Sequence, residues 1–294
     1  MQPHHTGGHL DPQLDVILAL AGVLALLVYW AAAWLSRGRG PWPRRRALLW
    51  SGGVTACLLA VLGPLADRAA VDFRAHMLGH LLLGMIGPLL LVLAAPVTLA
   101  LRTLPVRGAR VLVRLLDTWP VRFLVHPVTA ATLNLGGLWL LYTTTLYSQT
   151  LSSPVAHGLV HVHVLLSGYL FAAAIVGIDP DRHRRSLLIR AVVLVSFMAG
   201  HSILAKFIYA NPPVGVDAAQ AELGAMVMYY GGDVVDLVLL VILGHRWYVR
   251  GTQRVSRAPS RRSPGALPLL WPTAGPRGRT PRPSRPAGRR VRRA

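Results

Sequence analysis

Residues 73–102 decide the fold of this chain, and they read FRAHMLGHLLLGMIGPLLLVLAAPVTLALR. Between His76 and Leu101 this stretch contains no Asp, Glu, Lys or Arg. An α-helix needs about 20 consecutive apolar residues to cross the hydrocarbon core of a bilayer, and this run is longer. It therefore predicts a membrane span over 76–101, with two histidines, His76 and His80, in its first turns.

Long apolar runs recur along the rest of the chain. Hydrophobic residues make up 53% of the sequence and charged residues only 14%. We predict an all-α membrane protein, a seven-transmembrane-helix bundle that occupies residues 14–250. No basic stretch typical of a secretory leader precedes the first run, so we expect that span to be retained. The predicted spans are 14–35, 47–64, 76–101, 124–147, 155–177, 187–209 and 223–244.

The distribution of arginine predicts the orientation of this bundle. Lys and Arg close to span ends are retained on the cytoplasmic side of a membrane. The loops between spans on one face contain only Arg68, Arg74 and Lys206. We therefore expect the N-terminus outside and the C-terminus in the cytoplasm of a bacterial cell (plasma) membrane. The loops after spans 1, 3 and 5 contain Arg37, Arg39, Arg44, Arg45, Arg46, Arg102, Arg107, Arg110, Arg114, Arg122, Arg182, Arg184, Arg185 and Arg190.

Two polar segments flank the predicted membrane domain. Residues 1–13 form an outside N-terminal arm with His4, His5 and His9. Residues 251–294 are rich in Pro, Gly, Ser and Arg, a composition that cannot bury a core and predicts a disordered cytoplasmic tail. The arginines that follow Gly244 account for fourteen units of the formal net charge of +20. Beside a membrane anchor, we expect such a tail to contact anionic lipid heads and no nucleic acid.

Histidines are concentrated toward the outer ends of the predicted spans. In each of two pairs the i, i+4 spacing places two imidazoles on one helical face, one turn apart. Histidine inside a membrane span is costly and marks a functional position by default. We predict that six histidines on spans 3, 5 and 6 lie in one layer and include the ligands of a metal ion. They are His76, His80, His157, His161, His163 and His201.

The type of ligand indicates which metal to expect. Three methionines, Met77, Met226 and Met228, lie toward the same face, and the sole cysteine, Cys57, lies in mid-span. Imidazole with thioether, and without a thiolate or a carboxylate cluster, suits copper better than magnesium or calcium. Zinc is the alternative metal for this site, because imidazole suits zinc equally.

Other functional classes compete with a copper site. Histidines on facing helices are also the axial ligands of haem-binding redox proteins. A metal-independent membrane scaffold needs none of these histidines as ligands, and a retinal-type light sensor is disfavoured because the sole lysine, Lys206, lies near a span end. No phosphate-binding glycine loop, nucleophile elbow or H-E-x-x-H motif is present, so we expect no enzymatic activity.

Two aspartates of the last predicted span form a further unusual feature. Asp233 and Asp236 are three residues apart, so they share one helical face near mid-bilayer. Ionisable groups at that depth face the interior of a bundle. They suit either a cation path that runs inward from the histidines or a structural hydrogen-bond network.

Seven short motifs follow one another along the predicted membrane domain. They are Phe73-x-x-His76-Met77-x-x-His80, PLLLVL (88–93), PVTLALR (96–102), His126-Pro127, His157-x-x-x-His161-x-His163, GYLF (168–171) and MYYGGD (228–233). In this order they resemble the CtaG-type cytochrome c oxidase assembly factors, which are multi-span proteins of bacterial plasma membranes, and the resemblance covers roughly residues 14–250. It implies a protein that acts on the subunits of a haem-copper oxidase during assembly, by helping copper to reach its site.

Overall fold

The computed structural model describes residues 12–180 and 184–256, and within these ranges it contains helices and no strand. Most of the predicted arm 1–13 and residues 257–294 of the predicted tail lie outside the described residues. The helices are α1 (Pro12–Leu35), α2 (Arg44–Val61), α3 (Pro64–Ala69), α4 (Phe73–Leu81), α5 (Gly87–Leu93), α6 (Pro96–Thr103), α7 (Val106–Leu116), α8 (Trp119–Leu124), α9 (Pro127–Thr143), α10 (Leu146–Ser152), α11 (Pro154–Val176), α12 (Leu187–Ala210) and α13 (Ala218–Ser256).

Among the described residues, five helical segments are long and apolar enough to cross a membrane, in agreement with the prediction of a helical membrane protein. Two further predicted spans are helical but shorter or more polar. Helix α9 has 17 residues, and α2 begins with Arg44, Arg45 and Arg46. The count of seven spans therefore stays a prediction. The five segments are Gln13–Arg39, Phe73–Thr103, Pro154–Val176, Leu187–Ala210 and Ala218–Val249.

The predicted span 76–101 is not one regular helix. Pro88 has no N–H to donate to the carbonyl four residues earlier, that of Gly84. The chain adapts through a π-helical turn, Leu82–Ile86, in which the Gly87 N–H bonds to Leu82 O. Gly168 of α11 packs directly against Gly84 O, where a Cβ would overlap it. The irregular turn therefore lets two backbones come into close contact.

A second break separates α5 from α6. Ala95 has a positive φ of 55°, and Pro96 then begins α6 without an N–H to satisfy. Asp179, which follows α11, accepts hydrogen bonds from Val97 N (3.3 Å) and Thr98 N (2.8 Å), and also from Thr98 Oγ1 (2.6 Å). A carboxylate distant in sequence thus caps the start of α6.

Arginines satisfy backbone carbonyls at the same end of the bundle. Gly177 ends α11 in the left-handed conformation. The buried Arg190 donates to the carbonyls of Ile175 and Val176, and Arg246 donates to those of Val176 and Gly177. These contacts supply partners for the last carbonyls of α11, which have none within the helix.

Contacts between the first two basic loops lie at this end too. Arg102 donates to Arg39 O (2.7 Å) and Gly40 O (3.0 Å). The guanidinium groups of Arg46 and Arg102 lie over the ring of Trp42, 4.7 and 5.3 Å from its centre. The segments that follow spans 1, 3 and 5 and the end of α13 therefore meet, and we call this region the basic end. Which membrane face it occupies stays a prediction.

The segment after span 3, expected to be a loop, contains two helices. In α7, Arg107, Arg110 and Arg114 alternate with apolar residues such as Val111 and Leu115, which are exposed. The period matches an amphipathic helix, a form that lies well in a membrane interface. At the other end of the chain, α13 continues through Ser256, into the segment expected to be disordered.

We expect reporter fusions to place the basic end in the cytoplasm, because arginine is retained there. Fusions after spans 1, 3 and 5 should report a cytoplasmic location, and fusions in 65–75, 148–154 and 210–222 an external one. A cytoplasmic 148–154 segment would contradict both the span count and the orientation.

We expect Asp179→Ala to lower the free energy of unfolding by about 1 kcal/mol, the usual loss when a helix cap is removed. Thermal unfolding in detergent is the measurement. Asp179→Asn keeps one carbonyl acceptor for Thr98, so its free energy of unfolding should fall clearly less than that of Asp179→Ala. Equal stability of the Ala variant and the wild type would show that the cap is dispensable.

Candidate functional site

Four of the six predicted histidines line one cavity at the end of the bundle opposite the basic end. His76 and His80 enter it from α4, and His157 and His161 from α11. The cavity has a volume of about 340 Å³, and residues of α3 and α10 also line it. We call it the histidine cavity. The i, i+4 pairs predicted from the sequence thus face each other across one space.

The two histidines of α11 are arranged as a pair. Their ring centroids are 4.1 Å apart. His161 Nδ1 lies 2.9 Å from His157 O, a contact in which the ring nitrogen donates because a carbonyl only accepts. This bond fixes the tautomer of His161 with the proton on Nδ1, so Nε2 retains its lone pair. Metal-binding histidines are held by bonds of this kind.

His76 is held by aromatic residues that the sequence analysis did not single out. Its Nε2 lies 3.1 Å from the hydroxyl of the buried Tyr142. Tyr147 packs edge-on against the same ring at 5.0 Å, and Phe73 stacks on it at 5.7 Å. A buried tyrosine hydroxyl needs a hydrogen-bond partner, but only the fold reveals that this partner is His76 on another helix.

His80 lies at the floor of the histidine cavity and is 7% exposed. On its far side is His201 of α12, which is fully buried. The two ring centroids are 6.3 Å apart, with 24° between the planes. His201 therefore does not line the cavity itself, but it joins the histidine layer through His80.

His163 belongs to the predicted ligand set but is directed away from the cavity. Its Nε2 lies 3.1 Å from Leu133 O of α9, and its ring packs against Gly137. Two residues along a helix turn the side chain by about 200°, which places His161 and His163 on opposite faces. In the structure, His163 therefore connects α11 to α9 and does not line the cavity.

The methionines expected near the metal lie elsewhere. Met77 and Met228 are fully buried in a hydrophobic core with Phe73, Leu138 and Leu204. They pack the bundle and do not line the histidine cavity. The ligands that the cavity offers are therefore imidazoles, and Asp15 and Asp67 also line it.

Within residues 12–180 and 184–256, no three His, Cys, Asp or Glu side chains already converge in a geometry that holds a metal ion. The histidine cavity therefore has imidazole nitrogens on two walls, and these would reach a common ion only after side-chain rotation. The volume of the cavity leaves room for such rotation.

Comparison with known proteins finds relatives in mycobacteria. Uncharacterized proteins of Mycobacterium bovis and Mycobacterium tuberculosis are each 35% identical to it over 198 residues, which is 65% of this chain and 30% of the relative. An uncharacterized protein of Mycobacterium leprae is 30% identical over 233 residues, 72% of this chain and 35% of the relative. The chain spans about a third of the length of these relatives. No solved structure gives a significant match.

The family comparison covers most of the membrane domain. The sequence profile of the cytochrome c oxidase caa3 assembly factor family (Caa3_CtaG) matches residues 27–250. This range includes α4, α11 and α12 and therefore every histidine of the layer described above. The chain belongs to the cytochrome c oxidase caa3 assembly factor family.

Proposed function

We propose that this membrane protein assists the assembly of a haem-copper oxidase by holding copper in the histidine cavity before the metal reaches the oxidase. The observation that supports the proposal is the meeting of two histidine pairs, from α4 and α11, around one cavity. An assembly role comes from the family, and the metal role from these residues. The activity proposed is binding and transfer, without catalysis.

The ligands proposed are His80, His157 and His161. His161 Nε2 is available because Nδ1 is tied to His157 O, and His80 Nε2 has no hydrogen-bond partner. His76, which Tyr142 holds in place through its Nε2, fixes the α4 wall from which His80 reaches the ion. Imidazole ligands without thiolate bind copper firmly and also permit its release to a partner.

Two acidic residues in the lining of the cavity support entry of a cation. Asp15 and Asp67 line the cavity together with its histidines. Carboxylates beside a low-dielectric opening raise the local concentration of positive ions. The arginines of the basic end lie on the far side of the bundle, so they do not oppose the attraction of cations to these carboxylates.

We expect His80→Ala and His161→Ala each to lower bound copper and the activity of the partner oxidase under copper limitation, because each removes one nitrogen from the coordination shell. The measurements are metal content of the purified protein and oxidase activity in cells, with the variant still inserted in the membrane. Added copper should partly restore activity, since mass action refills a weakened site.

His245→Ala is the matched control, because His245 is an exposed histidine of α13. It should retain the copper content and oxidase activity of the wild type. Full oxidase activity of the His80 and His161 variants under copper limitation would favour a metal-independent scaffold. A Soret absorption band in the purified protein would favour haem as the ligand of these histidines.

We expect Tyr142→Phe to weaken copper binding about tenfold, the lower range for loss of a residue that orients a metal ligand. The reason is that Tyr142 holds His76 through its hydroxyl. Tyr147→Phe is the control, because Tyr147 contacts the same ring through its edge. A competition titration with a coloured Cu(I) chelator measures both affinities, and equal affinities would exclude this role for the Tyr142 hydroxyl.

A further inference from the structure

Below the histidine cavity lies a second group of buried polar side chains, between α4, α12 and α13. His201 and Asp236 are 0% exposed and His80 is 7% exposed. Among the described residues, His80 Nε2, both ring nitrogens of His201 and both carboxylate oxygens of Asp236 have no hydrogen-bond partner. Buried polar atoms without partners are expensive in a protein interior and more so in a membrane.

The spacing of the two rings matches one shared ion. With about 2.0 Å from nitrogen to metal and about 1.2 Å from nitrogen to ring centre, two in-line imidazoles on one ion place their centres about 6.4 Å apart. The ring centroids of His80 and His201 are 6.3 Å apart and the ring planes are 24° from parallel, a separation that accommodates one ion once the two rings turn their nitrogens toward each other. Cu(I) is satisfied by two nitrogen ligands in line, so a third ligand is not required.

Glycines make the position of His201 possible. A Cβ on Gly232 would overlap the ring of His201 and would lie 2.8 Å from the Nδ1 atom of that ring. On the other side, a Cβ on Gly84 would lie 3.4 Å from His80 Nδ1. The two imidazoles therefore lie in a space that larger residues in the π-helical turn and in α13 would fill.

Carboxylates close to this space can balance the charge of a cation. Asp233 accepts a hydrogen bond from Ser202 Oγ at 3.4 Å and interacts electrostatically with both His201 and Asp236. Asp236 is four residues from Gly232, hence on the same face of α13 and about 6 Å further from the cavity. Buried charges persist where an opposite charge compensates them.

We propose that His80 and His201 form an inner, two-coordinate site for Cu(I), with Asp233 and Asp236 as charge-balancing groups. His80 lines the histidine cavity on one side and faces His201 on the other. The inner site therefore fills from the cavity by rotation of one side chain. This inference rests on the proposed function, since the cavity supplies the ion, and it adds a second position deeper in the bundle.

The test is an anaerobic titration of the purified full chain in detergent with Cu(I), against a coloured chelator. The wild type should bind two copper ions, because His157 and His161 still hold the outer ion after His80 turns toward His201. His201→Ala and His201→Gln should each bind one, and His157→Ala should weaken the outer ion and keep the inner one. X-ray absorption of His157→Ala loaded with one equivalent should show two nitrogen ligands at the distance of a linear site.

His163→Ala is the matched control, because His163 contacts α9 and lies outside both sites. It should bind two ions like the wild type. Asp236→Asn removes a charge and keeps the side-chain shape, so we expect about 10- to 100-fold weaker binding of the inner ion only. Circular dichroism should show that each variant retains its helices, and gel filtration should show that it remains monodisperse.

The outcomes separate the two proposals. A wild type that binds one ion, unaffected by either His201 variant but weakened by His161→Ala, overturns the inner site and leaves the proposed function standing. A wild type that binds no copper overturns both. If the His201 variants do not fold, the X-ray absorption of His157→Ala decides, because a single ion with three or more ligands there contradicts the linear site.

Discussion

The structure depends on one constraint, the cost of leaving a polar group without a partner in a hydrocarbon environment. The constraint explains the arginines that reach the last carbonyls of α11. It also explains Asp179, which serves the start of α6 after the chain breaks at Ala95. The same rule makes the unpartnered nitrogens of His80 and His201 informative. These unpartnered atoms are the observation on which the proposed inner site rests.

The sequence predicted the membrane class and the histidine pairs because both depend on local periodicity. An i, i+4 spacing shares a face in any α-helix, so His157 and His161 were expected on one wall. The prediction that the histidines of α4 lie opposite those of α11 required one further assumption, that both pairs lie at the same depth. The histidine cavity agrees with that assumption. His163 was included in the predicted set, although the same periodicity turns it toward α9.

Other parts of the site depend on contacts between distant segments, which periodicity does not encode. Tyr142 meets His76 only because α9 packs beside α4. Met77 and Met228 have the right chemistry for copper, yet both occupy the packed core. The π-helical turn had a visible cause in Pro88, but its position on the wall between the cavity and Gly168 follows from how α11 approaches.

The π-helical turn has a consequence for the phase of the third membrane segment. The one added residue of a π-helical turn rotates the side chains before the turn by about 100° around the helix axis, relative to those after it. The face of α4 that presents His76 and His80 is therefore offset from the face of α5 that packs in the core. Loss of a single residue from Leu82–Ile86 would re-phase the segment, and the two imidazoles would swing toward lipid while every residue type in the motif stayed the same.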